Sequence, residues 1–215
     1  ISYWMEILSK LFESEAKVKI MRLFLFNQET VFDISTICEK SKVDLKMARK
    51  QLLNLQKSGM IKRKSFVKTT EKKVRGKIVE NKKKLEGYIL NENFHYLSAL
   101  RQLLISTKSL KGDEIVKRLS KAGKLKLVVV AGVFIEDKDS RVDMFVVGNN
   151  LSKSALTNAI KTIEAELGKE LVYVHFETPD YEYRLGMYDK LIRDVMDYPH
   201  KVLLDKINTG IEGSL

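Results

Sequence analysis

Apolar residues recur at helical spacing in three segments of the first sixty residues. The first segment, from about Glu15 to Phe26, has a wide apolar face, and the second runs from about Asp33 to Lys40. The third begins after Asp44, whose carboxylate can accept the unpaired backbone N–H groups at a helix start, and continues to about Gln56. This spacing predicts three consecutive helices, with residues 41–43 as a tight turn before the last one.

The third predicted helix divides into an apolar stripe and a cationic remainder. Leu45, Ala48, Leu52 and Leu55 fall on one face, which we expect to be buried. Ser58-Gly59 then ends the helix, and the β-rich runs Ile61–Thr69 and Leu85–Leu90 predict a hairpin that is closed by a basic loop, Thr70–Lys84.

The second half of the chain alternates between strand-like and helix-like patterns. We expect a linking helix at Tyr96–Thr107, strands at Leu125–Phe134, Val142–Val147 and Glu170–Phe176, and a helix at Ser152–Leu167. This order predicts a small mixed α/β domain. The fold class expected for the whole chain is therefore α+β in two domains, residues 1–95 and 96–215.

Charge separates the same two halves. The chain has a net charge of +11, and residues 1–95 hold 21 Lys and Arg against 11 Asp and Glu, whereas residues 96–215 hold 18 against 17. Segregated positive charge favours a polyanionic partner, because neutralising phosphates releases condensed counterions. A lysine-rich surface that is simply solvated is the alternative.

A contiguous basic segment follows the third helix. Between Lys57 and Lys84 there are 12 basic residues and only two acidic ones. A basic hairpin of this kind can lie along a phosphate backbone or reach a minor groove. Each lysine could instead be solvated, and Met47 on the third helix could contact a thymine methyl or pack under the hairpin.

The segment from Val43 to Leu52, followed by Leu55 and by Ser58-Gly59-Met60-Ile61, resembles the recognition helix and wing of small winged-helix transcription factors. The resemblance implies a helix-turn-helix that binds double-stranded DNA, commonly as a homodimer. The residues that we expect to contact DNA are Lys42, Lys46, Met47, Arg49, Lys50, Asn54, Arg63, Lys64, Lys72, Lys73, Arg75 and Lys77.

The order of elements in the second half resembles the minimal nucleotidyltransferase fold. In that family a Gly-Ser pair ends the first strand and holds a phosphate, and an Asp-x-Asp pair on the second strand binds Mg²⁺. Here Gly132 is followed by Val133, and Arg141 stands before Asp143, where the first aspartate is expected. The resemblance therefore implies a degenerate nucleotide site that has lost catalysis.

The tail from Tyr181 to His200 also resembles composite proteins in which a winged helix precedes an inactive nucleotidyltransferase-like domain. The expected function is transcriptional regulation, with the second domain serving dimerisation or ligand sensing. Two alternatives stay open: an active nucleotidyltransferase, or a cleft in which Arg141 pairs with the phosphate of a bound nucleotide. Arg141 could also pair with an acid such as Asp139 or Asp143.

The remaining residue types narrow the function classes. Cys38 is the only cysteine, so neither a disulfide nor a thiolate metal site is expected. The three histidines, His95, His175 and His200, lack partners at a spacing that would fix a metal or catalytic site. No apolar run approaches the roughly 20 residues of a membrane span. We expect a cytoplasmic protein without cofactor or metal.

Overall fold

The computed structural model of the protein describes residues 3–74, 77–105, 111–137 and 139–208. Over these residues the chain is mixed α/β, with nine α-helices and two β-sheets, and the expected mixture of helices and strands is confirmed. The contacts divide the chain into two compact units. Residues 8–105 and 165–169 form the N-terminal unit, and the other described residues form the C-terminal unit. The N-terminal unit thus extends ten residues beyond the expected boundary at residue 95.

The N-terminal unit is built from helices followed by one hairpin. Its elements are the end of α1 (Tyr3–Leu11), then α2 (Glu15–Phe26), α3 (Ile34–Ser41), α4 (Leu45–Lys57), β1 (Ile61–Val74), β2 (Lys77–Leu90) and α5 (Leu97–Leu104). The predicted bounds of α2 and the predicted start of α4 after Asp44 are confirmed. The observed α3 is shifted by one residue at each end, and α4 ends one residue later than predicted. Helix α1 adds to the three helices predicted in this region.

Side-chain caps fix where these helices begin. Asp33 Oδ1 accepts a hydrogen bond of 2.7 Å from the backbone N–H of Thr36, and Asp44 Oδ1 accepts one of 2.9 Å from that of Met47. Such caps satisfy backbone donors that the first turn of a helix leaves unpaired. Between α3 and α4, Lys42 adopts a left-handed backbone conformation with φ of +50°, which makes the turn compact.

The helices enclose an apolar core together with the base of the hairpin. Fully buried side chains from this core include Val18, Phe24, Ile37, Ala48, Leu52, Ile61 and Leu90. Arg22 is also buried, and its guanidinium donates to the backbone carbonyls of Leu104 and Glu166, each at 2.7 Å. Burial lowers the pKa of Arg22 to about 10, and Glu166 opposes that shift, so the side chain keeps its charge at neutral pH.

The hairpin is much longer than expected. Its strands pair antiparallel from Ile61 opposite Leu90 to Val74 opposite Lys77, so most of the predicted basic loop Thr70–Lys84 is strand. Phe32 adds two backbone hydrogen bonds to Tyr88, of 2.9 and 2.8 Å. Position 87 must be glycine there, because a Cβ would lie 2.7 Å from the carbonyl oxygen of Phe32.

The C-terminal unit contains a four-stranded mixed sheet. Its elements are α6 (Gly112–Leu119), β3 (Lys124–Val130), β4 (Met144–Asn149), all but the last turn of α7 (Lys153–Leu167), β5 (Tyr173–Glu177), α8 (Thr178–Gly186), α9 (Lys190–Asp197) and β6 (Lys201–Asp205). The strand order is β5-β4-β3-β6, in which only β4 and β5 are parallel. The fifteen-residue α7 connects that parallel pair, as such a pair requires.

Two strands differ from their predicted bounds at the edge where the degenerate nucleotide site is predicted: β3 ends early, and β4 is shifted by two residues toward the C-terminus. Strand β3 ends at Val130, and residues 132–134 form a 3-10 turn instead of continuing the predicted strand to Phe134. Strand β4 begins at Met144, so Arg141 and Asp143 precede it. The core beneath the sheet includes Leu127, Val129, Phe145, Val147, Phe176, Tyr181 and Ile192.

Candidate nucleic-acid interface and C-terminal cleft

Helix α4 presents a basic face opposite its buried one. The side chains of Ala48, Gln51, Leu52 and Leu55 are buried against the unit, and this fixes the rotation of the helix about its axis. All five candidate DNA contacts on α4 are exposed; they are Lys46, Met47, Arg49, Lys50 and Asn54. Lys42 is exposed in the preceding turn. A helix of 13 residues is about 20 Å long, and the major groove of B-DNA, about 12 Å wide, is wide enough to admit an α-helix.

Two members of this face are absent from the predicted DNA contacts. Leu53 is 51% exposed and lies one helical turn after Arg49, and Lys57 is also exposed. Helical spacing could have identified Leu53, because it falls off the stripe formed by Ala48, Leu52 and Leu55. Leu45 was expected in the core but is 46% exposed, since it lies in the first turn at the edge of the stripe.

The hairpin brings further cations beside the helices. Arg63 and Lys64 are exposed on β1, and the Arg63 guanidinium carbon lies 6.0 Å from the ring centre of Tyr88, its register partner. The backbone register places Lys72 opposite Val79, Lys73 opposite Ile78 and Lys77 opposite Val74. Arg75 lies outside the described residues.

One lysine of the hairpin is held by the helices instead of facing solvent freely. Lys68 Nζ lies 2.6 Å from Asp33 Oδ2. Burial alone would raise the pKa of Asp33, but hydrogen bonds from Lys68, Ser35 and the start of α3 outweigh it and hold that pKa well below its usual range. Asp33 therefore stays ionised at any ordinary pH.

In the C-terminal unit, the Asp143 side chain joins two backbone segments through hydrogen bonds. Its carboxylate is buried and accepts hydrogen bonds from the backbone N–H of Val133 at 2.8 Å and of Val172 at 2.9 Å. Gly132 has a φ of +53°, and a Cβ on it would overlap the Asp143 carboxylate. The four residues thus join the end of β3 to the segments before β4 and β5.

Arg141, the other residue of the expected nucleotide site, is paired with an acid that the sequence did not suggest. Its guanidinium Nη1 lies 2.8 Å from Asp194 Oδ2 on α9, so its ion-pair partner is neither Asp139 nor Asp143. A cleft of about 180 Å³ opens here, and Asp139, Arg141, Asp194 and Tyr198 are among the residues that line it. Among the described residues that line the cleft, two carboxylates stand against one guanidinium, so these side chains offer a phosphate little net attraction.

Each of the three histidines contacts a neighbouring tyrosine residue. His200 is buried, and its Nδ1 lies 2.8 Å from the carbonyl oxygen of Tyr198. His95 is exposed with its ring against Tyr96, and His175 lies beside Tyr173. Within the described ranges, no three His, Cys, Asp or Glu side chains are grouped so as to hold a metal ion. No helix in these ranges is both long and apolar enough to cross a bilayer.

The hydrogen bonds of Asp143 predict a loss of stability when its charge is removed. Replacing Asp143 by asparagine turns an amide NH₂ toward one of the two backbone donors, which then loses its acceptor. We expect the free energy of unfolding to fall by about 2 kcal/mol, the usual cost of a buried unsatisfied polar group. Urea denaturation followed by circular dichroism measures it, with the exposed Asp139→Asn as the matched control. Unchanged or raised stability for Asp143→Asn would contradict the structural role.

Comparison with known proteins supplies no assignment for either site. No protein-family model, no curated protein and no solved structure matches the chain. A functional proposal therefore rests on the basic surface of the N-terminal unit and on the geometry of the cleft.

Proposed function

We propose that the protein is a sequence-specific DNA-binding transcriptional regulator. In this proposal α3 and α4 form a helix-turn-helix, α4 enters the major groove, and the hairpin β1–β2 is the wing. The second unit is a nucleotidyltransferase-like fold that supplies dimerisation or ligand sensing without catalysis. A cytoplasmic location, where thiols stay reduced, is part of this proposal, and the single, half-buried cysteine is compatible with it.

The observation that carries the proposal is the division of α4 into a buried stripe and a bare basic face. The stripe fixes the helix so that Lys46, Lys50 and Leu53 point away from the unit, with Arg49 and Asn54 at the edges. Cations on such a face can contact phosphates, while Asn54 and the exposed Leu53 can contact base edges and thymine methyl groups.

The absence of catalysis is supported by how the C-terminal residues are used. Both carboxylate oxygens of Asp143 already accept hydrogen bonds from backbone N–H groups. Arg141 places a guanidinium at the cleft, where a member of the nucleotidyltransferase family would hold Mg²⁺. The cleft also lies below the roughly 300 Å³ at which ordinary ligand pockets begin. These features favour a structural role for the residues of this cleft over nucleotide sensing there.

The α4 face predicts a location-dependent loss of affinity. Changing both Lys46 and Lys50 to glutamine should weaken binding to a labelled duplex by about tenfold or more and reduce the slope of log affinity against log salt by about two. Fluorescence anisotropy across a salt series measures both quantities. The control changes the exposed Lys121 and Lys153 to glutamine, which removes the same charge elsewhere. Equal losses in the two double variants would mean that only overall charge matters.

The dimer in this proposal predicts the form of the binding site. Selection of bound duplexes from a random pool should yield two half-sites related by two-fold symmetry, spaced by about one helical turn or a multiple of it. A single unrepeated site would exclude the dimer, and failure to enrich any sequence at low salt would exclude specific DNA binding.

The enzyme alternative has its own test. With labelled nucleoside triphosphates and Mg²⁺, we expect no label on DNA, RNA or protein above a heat-inactivated sample, because Arg141 stands in place of one metal-binding aspartate. Transfer above that background would establish a nucleotidyltransferase and overturn the non-catalytic proposal.

A further inference from the structure

We infer that the Asp33–Lys68 ion pair sets the angle at which the hairpin leaves the helices, and so decides where the outer half of the hairpin meets DNA. The inference rests on the proposed function, and it assigns Lys68 a positioning role instead of a phosphate contact.

The geometry around Asp33 joins two elements through one carboxylate. Oδ1 accepts hydrogen bonds from the Thr36 backbone N–H at 2.7 Å and from the Ser35 hydroxyl at 2.6 Å, which caps α3. Oδ2 pairs with Lys68 Nζ at 2.6 Å, and the same ammonium donates to the Thr36 hydroxyl at 3.3 Å. The helix that precedes α4 and the middle of β1 are thus held by the same residue.

Lys68 differs in this from the other lysines of the hairpin whose side chains the structure describes. Lys62, Lys64, Lys82, Lys83 and Lys84 are exposed, whereas the side chain of Lys68 is 38% exposed and that of Asp33 only 10%. A lysine whose charge is already neutralised at 2.6 Å is a poor phosphate ligand, because binding DNA would cost it the existing pair.

The register of the two hairpin strands shows a second effect of the Asp33–Lys68 ion pair. Lys68 lies directly opposite Lys83, and like charges at facing positions of an antiparallel pair destabilise it. The negative charge of Asp33 offsets this repulsion at the point where the hairpin passes the helices. It therefore favours pairing of the two strands there, with the Lys68 ammonium directed toward Asp33.

The length of ribbon beyond the pair makes the angle important. Strand β1 continues for six residues beyond Lys68, to Val74, which corresponds to about 20 Å of ribbon. A tilt of roughly 15° at Lys68 would therefore move the far end by about 5 Å, more than the distance range of a hydrogen bond.

Asp33 could affect DNA binding only through its negative charge, or by positioning the hairpin, and the two roles predict opposite changes in DNA affinity for Asp33→Asn. Asparagine caps helices as well as aspartate does, so α3 keeps its cap while the ion pair is removed. Removing an acid beside a DNA-binding surface should tighten binding if only charge matters. If the pair positions the hairpin, Asp33→Asn should weaken binding by about fivefold for each outer phosphate that the hairpin no longer reaches at roughly 0.15 M salt.

The experiment uses the full chain with Asp33→Asn, Lys68→Met, the double variant, and Lys64→Met as the control for a simple phosphate contact. We expect the two single variants to weaken binding alike and the double variant to be no worse than either. Lys64→Met should lower the salt slope by about one. Tighter or unchanged binding for Asp33→Asn, or additive losses in the double variant, would overturn the inference.

A DNA-free measurement separates this inference from the proposed function. With Cys38→Ala, spin labels at Lys50→Cys and at Lys77→Cys, which the register places opposite Val74 at the far end of the ribbon, report the distance between α4 and the outer half of the hairpin. We expect that distance distribution to shift or broaden with Asp33→Asn and Lys68→Met but not with Lys64→Met. An unchanged distribution would overturn the positioning role. If the parent chain fails to bind any duplex at low salt, the proposed function fails, while the label distances still decide whether the ion pair orients the hairpin.

Discussion

The burial of one stripe of α4 is the constraint on which the surface of the N-terminal unit depends. Fully burying a leucine contributes about 1.5 to 3 kcal/mol, so Leu52 and Leu55, together with Ala48, fix the rotation of the helix far more firmly than any exposed lysine could. Once that rotation is fixed, the side chains of Lys46, Lys50 and the other polar positions must face solvent. The basic face is thus a consequence of core packing, and it is present without any ligand.

The C-terminal unit illustrates how one residue type at one place can have two uses. A carboxylate beside the end of a strand can hold a metal when its oxygens are free to converge with another carboxylate. Asp143 instead lies in a loop where Gly132 gives the backbone room to turn and two N–H groups point at the oxygens. Sequence can identify the aspartate, but only the surrounding backbone decides which of the two uses applies.

Features that depend on residues close together in the sequence could be predicted, whereas features that depend on residues far apart in the sequence could not. The bounds of α2 and the cap at Asp44 follow from residues within one helical turn, and both could be predicted. The extent of the hairpin could not, because Thr70–Lys84 is rich in lysine, which has low strand propensity, and cross-strand pairing overrides that preference. The partners Asp194 for Arg141 and Asp33 for Lys68 lie too far away in sequence for any spacing rule.

The charges of the hairpin link its own stability to its proposed partner. Lys68 faces Lys83 across the strands, and Lys82 and Lys84 lie on either side of Lys83 in the sequence, so the described part of the ribbon concentrates like charge. A two-stranded ribbon is only marginally stable by itself, and this repulsion weakens it further. A polyanion laid along the same lysines would remove the repulsion while it gained their attraction. The feature that makes the hairpin costly in isolation is therefore the feature that suits it to a phosphate backbone, and Asp33 supplies a countercharge from the helices at the point where the hairpin must keep its direction.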